Sequence, residues 1–267
     1  MSSPLKALDP APGLSDRCYE SLLAAILAGE LDARRTHTQE SLAARLGVSR
    51  QPVMHALQRL RREGLLVAED NGRGLRIAPI NAAFIQNLYQ LREALDALAA
   101  SAAAATPRPE LRDTGATLIR AGREAARRRD PGALAAALDA AKAFQMFIYR
   151  ASHNPLLIDA VSVNQHHCRR IFVSLSPAIR TPARPARTKP SADARTTHAS
   201  GQQAADGATQ GPSLAIQALR RGWTRQRALL AAIVNGDLRA AERAAREHAR
   251  DEGQAALAML FHAALRS

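Results

Sequence analysis

The sequence predicts a mainly α-helical protein in two parts, a small N-terminal domain that ends in a β-hairpin and a larger all-helical domain. Apolar residues make up 46% of the 267 positions and aromatic ones only 3%. The abundance of alanine among them favours helices that pack through small side chains. Apolar residues recur at helical spacing through most of the chain, and no convincing strand pattern follows residue 81. A chain of this length holds two domains, each with its own core.

The first domain is expected to span residues 14–80, preceded by a flexible arm at 1–13 that is rich in Pro and Ser. Apolar residues at helical spacing predict a helix from about Ser15 to Gly29, where the glycine can end it. A short connector then leads into the most informative stretch of the chain.

That stretch begins at Thr38 and predicts two short helices joined by a tight turn. Gly47 stands where the chain must turn sharply, which a residue without a side chain permits. Ser49 can cap the second helix, and Pro52 falls in its first turn, where a missing N–H costs little. The apolar seam between the helices consists of Leu42, Leu46, Val48, Val53, Leu57 and Leu60.

A β-hairpin is predicted directly after the second of these helices. Apolar residues flank Asp70-Asn71-Gly72, and Asn-Gly is a strong signal for a two-residue hairpin turn. Arg73 is expected near the tip of this wing. Three helices followed by a two-stranded ribbon, in this order, describe a winged helix-turn-helix domain.

The second helix of the pair has the surface of a DNA-reading helix. With Val53 and Leu57 turned inward, the helical period turns polar and basic side chains outward: Gln51, His55, Gln58 and Arg62. Such a helix suits the major groove of DNA, and the formal net charge of +13 favours an anionic partner. The alternative is an ordinary helical hairpin with a solvated basic face, because charge alone does not separate DNA from RNA or an acidic membrane surface.

The residues expected to contact DNA lie in the connector, on the two short helices and in the wing. They are Arg34, Arg35, Thr38, Ser49, Arg50, Gln51, Met54, His55, Arg59 and Arg73. Arg34 and Arg35 can contact phosphates or lie in a solvated loop. His55 is titratable, but a neutral hydrogen-bonding role is favoured because nothing nearby demands a charge.

The second domain is expected to span residues 81–266 as an all-helical bundle. Six helices are predicted, at about 82–105, 109–129, 131–152, 155–175, 214–234 and 238–265. Capping residues mark several of their starts, namely Asn81, Asp130, Asn154 and Asp237. The segment 176–212 carries too little apolar surface to offset its ordering entropy, so we expect a disordered insertion there.

Both halves contain phrases of one protein family. The stretch from Leu14 to Pro79 resembles the DNA-binding domain of GntR-family bacterial transcription regulators, through AAILAGEL, ESLAARLGVSRQPV, HALQRLRREGLL and GRGLRIAP. The second half resembles the helical FCD ligand-sensing domain of the FadR-like subgroup, through LYQLREALDALAA, ASHNPLL and RALLAAIVNGDLRAAERAAREH. The resemblance implies a homodimer that binds a double-stranded DNA operator and responds to a small-molecule effector, often a carboxylic acid. We therefore expect a repressor with an organic-acid effector.

The reading helix departs from the family pattern at two positions. The family phrase is usually Pro-Val-Arg-Glu-Ala-Leu, and here Met54 and His55 replace the Arg and the Glu. Glu40 stands where several relatives carry a base-contacting arginine. Arg50 and Gln51 remain at the helix tip, where either can contact purine edges. The operator sequence is therefore expected to differ from those of close relatives.

Another departure concerns the divalent metal that many FCD domains hold through one Asp and three His residues. Alignment on the family motifs places these ligands at Ala141, Gln145, Gln226 and His248. We expect no metal cofactor, because one imidazole with two neutral amides does not hold Zn tightly. A relocated site remains open, with donors from His166, His167 or Cys168, although adjacent helical residues point about 100° apart.

The pocket is instead expected to bind an organic ligand directly. Its candidate residues are Arg92, Gln145, His167, Gln226 and His248. Arg92 can pair with a ligand carboxylate, or with Asp96 one turn away on the same helix.

Other function classes find little support in the sequence. No catalytic triad, phosphate-binding glycine loop or pair of helical acids is present, so we expect neither enzyme activity nor catalytic residues. A small-molecule sink that has lost tight DNA recognition is the alternative, suggested by Glu40 and Met54. The chain shows no secretory signal pattern, no long apolar run and no metal or redox spacing of Cys18 and Cys168, so we expect a cytoplasmic protein without a membrane span.

Overall fold

The computed structural model describes residues 13–69, 74–128, 130, 132–176 and 214–265, which form nine helices and one two-stranded sheet. They divide into two units, the first comprising Met1–Ile80 with His166–Val173, and the second Asn81–Gln165 with Ser174–Ser267. The predicted flexible arm, the wing tip with Arg73 and nearly all of the predicted disordered insertion lie outside the described residues.

The first unit contains the predicted three helices and wing. Its elements are α1 (Leu14–Ala28), α2 (Gln39–Leu46), α3 (Arg50–Arg62), β1 (Leu66–Ala68) and β2 (Leu75–Ile77). Gly29 and Gly47 end α1 and α2 with φ of +73° and +67°, in the left-handed region that glycine adopts without steric cost. Both predicted helix ends are thereby confirmed.

The apolar seam predicted from spacing forms the core of this unit. Leu42, Val53, Leu57 and Leu60 are all buried, together with Tyr19 and Leu22 of α1. Thr38 begins α2 with a capping box, in which its hydroxyl accepts from the Ser41 amide at 3.1 Å. These contacts fix α3 with one face buried and the opposite face exposed.

The wing is a short antiparallel ladder with a third point of attachment. Leu66 pairs with Ile77, and Ala68 pairs with Leu75. His37, just before α2, bridges to Leu75, with backbone N–H···O distances of 2.7 and 3.0 Å. The bridge ties the wing to the segment that leads into the reading helices.

The second unit is built from helices, as predicted. They are α4 (Ala82–Ala105), α5 (Pro109–Ala125), α6 (Ala133–Ala151), most of α7 (Pro155–Leu175), α8 (Leu214–Val234) and α9 (Leu238–Ala264). Side-chain caps begin α4 and α9, where Asn81 and Asp237 accept from backbone amides at 2.8 and 2.9 Å. None of the helices in the described ranges has the length and hydropathy that a membrane span requires.

Two predicted helix boundaries were wrong. The helix α5 ends at Ala125 rather than near residue 129, and α6 begins at Ala133, with Gly132 at its N-cap. Asp130 does not cap α6; its carboxylate accepts from the Gly132 amide at 2.9 Å and pairs with Arg128 at 2.7 Å. A local turn has therefore taken the carboxylate that the sequence suggested as a cap.

A close approach between α5 and α8 shapes the core of this unit. A Cβ at Gly122 would overlap the ring of Trp223, so only glycine permits this contact. Trp223 in turn packs edge-on against Phe144, with ring centroids 6.2 Å apart. Phe144 lines the cavity described below, so this packing fixes one of its walls.

Candidate DNA-binding surface and ligand cavity

The exposed face of α3 carries the polar residues that spacing turned outward. Gln51, His55, Gln58 and Arg62 are exposed, whereas Pro52, Val53, Ala56, Leu57 and Leu60 are buried. We call the four exposed residues the reading face. Met54 is half-buried at its border, and Arg61, which the predicted set omitted, is also exposed. The structure thus presents the side chains that a major-groove helix requires.

Arg50, at the tip of α3, is engaged by a carboxylate. Its Nη1 lies 2.6 Å from Oε1 of Glu40, and the two side chains are 68% and 65% exposed. An exposed pair of this kind contributes about 0.2–1 kcal/mol, so DNA phosphates or bases can compete for the guanidinium. The unusual Glu40 therefore acts directly on a residue predicted to read DNA.

Arg59 is directed toward α1 rather than along the reading face. Its guanidinium lies 3.6 Å from the centroid of the Tyr19 ring, and its Nε donates to Glu63 at 3.1 Å. The Tyr19 hydroxyl donates to the same carboxylate at 2.8 Å, and burial together with this bond raises the pKa of Tyr19. Arg59 thus joins α1 to the end of α3, a contact that spacing within α3 does not reveal.

The connector residues have different surroundings. The Arg34 amide donates to the Asp32 carboxylate at 2.9 Å, and Arg35 lies 3.8 Å from the same carboxylate with its side chain 80% exposed. Ser49 is the N-cap of α3, although its side chain makes no capping hydrogen bond. Arg35 therefore keeps an accessible guanidinium next to the helices.

The second unit contains a small, largely buried cavity. It is lined by Asp96, Phe144, Gln145, Ile148, Tyr149, Gln226, Leu229, Ala245 and His248, which α4, α6, α8 and α9 contribute. Its volume is about 20 Å³, enough for about one water molecule. Three predicted pocket residues, Gln145, Gln226 and His248, are brought together here from three helices.

A buried cluster of charges borders this cavity. Arg92 donates through Nη2 to Asp96 at 3.0 Å and through Nη1 to Glu252 at 2.5 Å. Oδ1 of Asp96 also accepts from Gln145 and from the Tyr149 hydroxyl, both at 2.7 Å. Burial raises the pKa of Glu252, but the positive charges of Arg92 and His248 outweigh it and hold that pKa below its usual value. Of the two partners that the sequence offered Arg92, the structure shows Asp96, and it adds Glu252.

Gln226 and His248 form a second buried pair. Their Nε2 atoms lie 3.1 Å apart, and Nε2 of His248 is 3.6 Å from Glu252. Among the described residues, Oε1 of Gln226 and Nδ1 of His248 have no hydrogen-bond partner, although both atoms are buried. Buried polar atoms without partners are costly, so they mark a place where another polar molecule would be stabilised.

The residues at the family's metal positions do not fit a divalent cation. Ala141 has no donor atom, and the Gln145 amide is engaged by Asp96 and by Gln165. Nε2 of His248 already faces the amide of Gln226. Across the described ranges, no group of three His, Cys, Asp or Glu side chains is arranged to hold a metal.

His167, the fifth predicted pocket residue, lies elsewhere. It belongs to the first unit, where its Nε2 donates to the Glu63 carbonyl at 2.9 Å. Burial, reinforced by the charge of Arg170, lowers the pKa of His167 to about 4. Its Nδ1 faces Arg170 at 3.5 Å, so a neutral ring fits both contacts. Sequence spacing on one helix gives no sign of this carbonyl partner.

Comparisons with known proteins agree on both parts of the chain. The sequence model of the bacterial regulatory proteins of the gntR family matches residues 14–77, and that of the FCD domain matches residues 87–194. No curated protein sequence shows significant similarity to the chain.

Solved structures share the fold at low sequence identity. E. coli McbR/YncC superposes with a TM-score of 0.62 at 16% identity, covering 90% of this chain and 94% of its own. A protein described as a transcriptional regulator GntR from Rhodococcus sp. RHA1 gives 0.62 at 18% identity, with 91% and 97% covered. The fold therefore extends over both units of the chain.

Proposed function

Since the chain belongs to the GntR family of bacterial regulatory proteins and carries an FCD domain, we propose that it is a cytoplasmic repressor that binds an operator as a homodimer. The observation that carries this proposal is the reading face of α3, four exposed polar side chains on a helix whose other face is buried in a winged core. The family and the fold are those of transcription regulators and not of enzymes.

Each subunit would insert the N-terminal part of α3 into the major groove. Gln51 and Arg50 at the helix tip would read base edges, His55 and Met54 would lie beside them, and Arg35 would contact the backbone. The half-buried thioether of Met54 offers only apolar contact, for which a thymine methyl is the complement. Arg62 extends the positive surface along the helix.

The exposed apolar residues of α4 support the dimer. Leu91 and Leu98 are 49% and 54% exposed, and they lie seven residues apart on one face of a 24-residue helix. Burying these two side chains against a second copy would stabilise a dimer by about 1.5–3 kcal/mol per fully buried leucine. A two-fold symmetric pair would then set the spacing of the operator half-sites.

The cavity of the second unit is the proposed effector site, and we propose that it works without a metal. An effector changes operator affinity only if it binds one arrangement of the dimer more tightly than another. The expectation of an organic acid rested on the family resemblance and on Arg92. Both terminal nitrogens of that guanidinium are bonded to protein carboxylates, so the class of effector needs a separate argument, given below.

The experiment selects DNA without assuming the operator. Full-length protein is incubated with fragments of the genome that encodes it, and the bound fragments are sequenced. We expect enrichment of one palindromic site upstream of a coding region, and a dimer mass in sedimentation. Fragments no different from the input pool would contradict the proposal.

A sink for small molecules is the second candidate, and the Glu40–Arg50 pair favours it. A carboxylate 2.6 Å from the helix-tip arginine weakens the positive surface that DNA would meet. A sink would bind effector with an affinity that DNA does not change. A regulator must show reciprocal effects of DNA and effector, so the two candidates separate on this measurement.

A further inference from the structure

The charge of the buried cluster beside the cavity is the opposite of what a carboxylate ligand requires. Arg92 contributes one positive charge, and Asp96 and Glu252 contribute two negative ones. With His248 neutral the cluster carries −1, and with His248 protonated it carries zero. Neither state is positive, and the lining residues include an aspartate but no arginine or lysine.

Arg92 is held where it cannot serve a ligand without breaking the cluster. It is 3% exposed, and its two Nη atoms donate to Asp96 and Glu252 at 3.0 and 2.5 Å. A ligand carboxylate that took one of these nitrogens would leave a protein carboxylate buried and unpaired. Bidentate capture of an acid by Arg92 is therefore opposed by the residues that hold it.

The unpartnered atoms at the cavity indicate what would be accepted. The amide of Gln226 and the ring of His248 share one hydrogen bond through their Nε2 atoms. In either orientation of the Gln226 amide, the remaining buried atoms of this pair offer one donor and one acceptor. A ligand group that both donates and accepts, and that carries no negative charge, would satisfy both atoms.

We infer that this cavity recognises a small molecule through an amide or amine group and excludes carboxylates. The inference rests on the proposed assignment of the cavity as the effector site. Because the cavity holds about one water molecule, binding must also displace lining side chains, of which Gln145 and Gln226 are polar and unbranched.

The test compares butyrate, butyramide and 1-aminobutane, which share a four-carbon skeleton and differ in charge. Binding to the full-length protein is measured by calorimetry and by the shift in Tm at neutral pH. We expect butyramide or 1-aminobutane to bind at least about tenfold more tightly than butyrate, a ratio worth about 1.4 kcal/mol. Equal or tighter binding of butyrate would overturn the inference, and so would the absence of binding by all three.

Variants locate the effect in the cavity. Gln226→Leu removes one of the unpartnered groups and is expected to abolish binding of the amide; unchanged binding would overturn the inference. Glu252→Gln removes one negative charge while an oxygen remains for Arg92, and it is expected to narrow the preference over butyrate. If Glu252→Gln fails to fold, Asp96→Asn provides the same change in charge.

Glu247→Gln is the matched control, because it removes the same charge from an exposed position on α9. Its preference among the three compounds should equal that of the wild type, and an equal change in Glu247→Gln and Glu252→Gln would contradict the role of the buried cluster. The same preparations are tested for binding to the enriched DNA fragment. Loss of DNA binding with intact ligand preference would contradict the proposed regulator function alone.

Discussion

The reading face of α3 and the charge cluster beside the cavity are both polar, but different physical constraints hold them in place. The reading face lies on one short helix, and its residues are exposed because their neighbours at helical spacing are buried. The cluster joins α4 to α9, residues that are 160 positions apart, and it is buried. Changes at the first site should therefore alter what the protein binds, and changes at the second should first alter whether it folds.

Arg92→Met is expected to have the largest effect. It would leave Asp96 and Glu252 buried without their cation, which costs about 3–5 kcal/mol of unfolding free energy. Urea unfolding of the full-length protein measures this loss. The control is Arg246→Met, which breaks an exposed pair with Glu242 one turn away on α9. A loss in the control, expected at about 0.5 kcal/mol or less, that equalled the loss in Arg92→Met would contradict the distinction.

The pH dependence of His167 should be nearly as large. Its pKa is about 4 in the folded protein against about 6.5 when unfolded, so between these values the unfolded chain binds more protons. Stability is thus complete above about pH 6.5 and falls as the pH drops toward 4, by about 3 kcal/mol. Other groups also titrate in this range, so the quantity to measure is the difference from His167→Gln, which can still donate to the Glu63 carbonyl. Parallel pH profiles for the two proteins would rule out this account of His167.

Gln51→Ala should leave the fold intact and alter DNA recognition. Gln51 is exposed at the tip of α3, and loss of a base contact there is expected to cost about 1–3 kcal/mol and relax specificity at one base position. Competition among operator variants with single base changes measures this. Gln86→Ala, at an exposed position of α4, should change nothing, and an equal effect in both variants would remove Gln51 from the reading face.

Glu40→Gln is expected to have the smallest effect on stability and a clear effect on DNA binding. Removing an exposed partner of Arg50 should change the unfolding free energy by less than about 1 kcal/mol. It should raise affinity for all DNA sequences and steepen the dependence of log K on log salt concentration, by about one phosphate contact. A salt dependence identical to that of the wild type would show that Arg50 does not meet phosphate.

The sequence was a good guide wherever one helix or one turn decides the outcome. Gly29 and Gly47 end helices, Asn81 and Asp237 cap them, and the apolar seam of the first unit is buried as its spacing predicts. The family phrases placed both domains in the right order. These features depend on neighbours within a few residues along the chain.

It was a weaker guide to contacts between distant segments. Glu252 as a partner of Arg92, Tyr19 beneath Arg59 and the Glu63 carbonyl bonded to His167 all depend on tertiary packing. Helical spacing shows which side chains share a face, but not which helix lies opposite. The start of α6 was wrong for a similar reason, since Asp130 bonds to Arg128 and to the Gly132 amide instead of capping the helix.

The central claim, that the reading face recognises a particular DNA sequence, is tested most directly by one affinity ratio. Fluorescence anisotropy of the full-length protein on the enriched fragment and on a scrambled fragment of the same composition, at the same salt concentration, gives this ratio. We predict that the enriched fragment binds at least about 10³-fold more tightly, as expected for specific recognition. Equal affinity for the two fragments would contradict the account and leave only non-specific attraction between a basic protein and DNA.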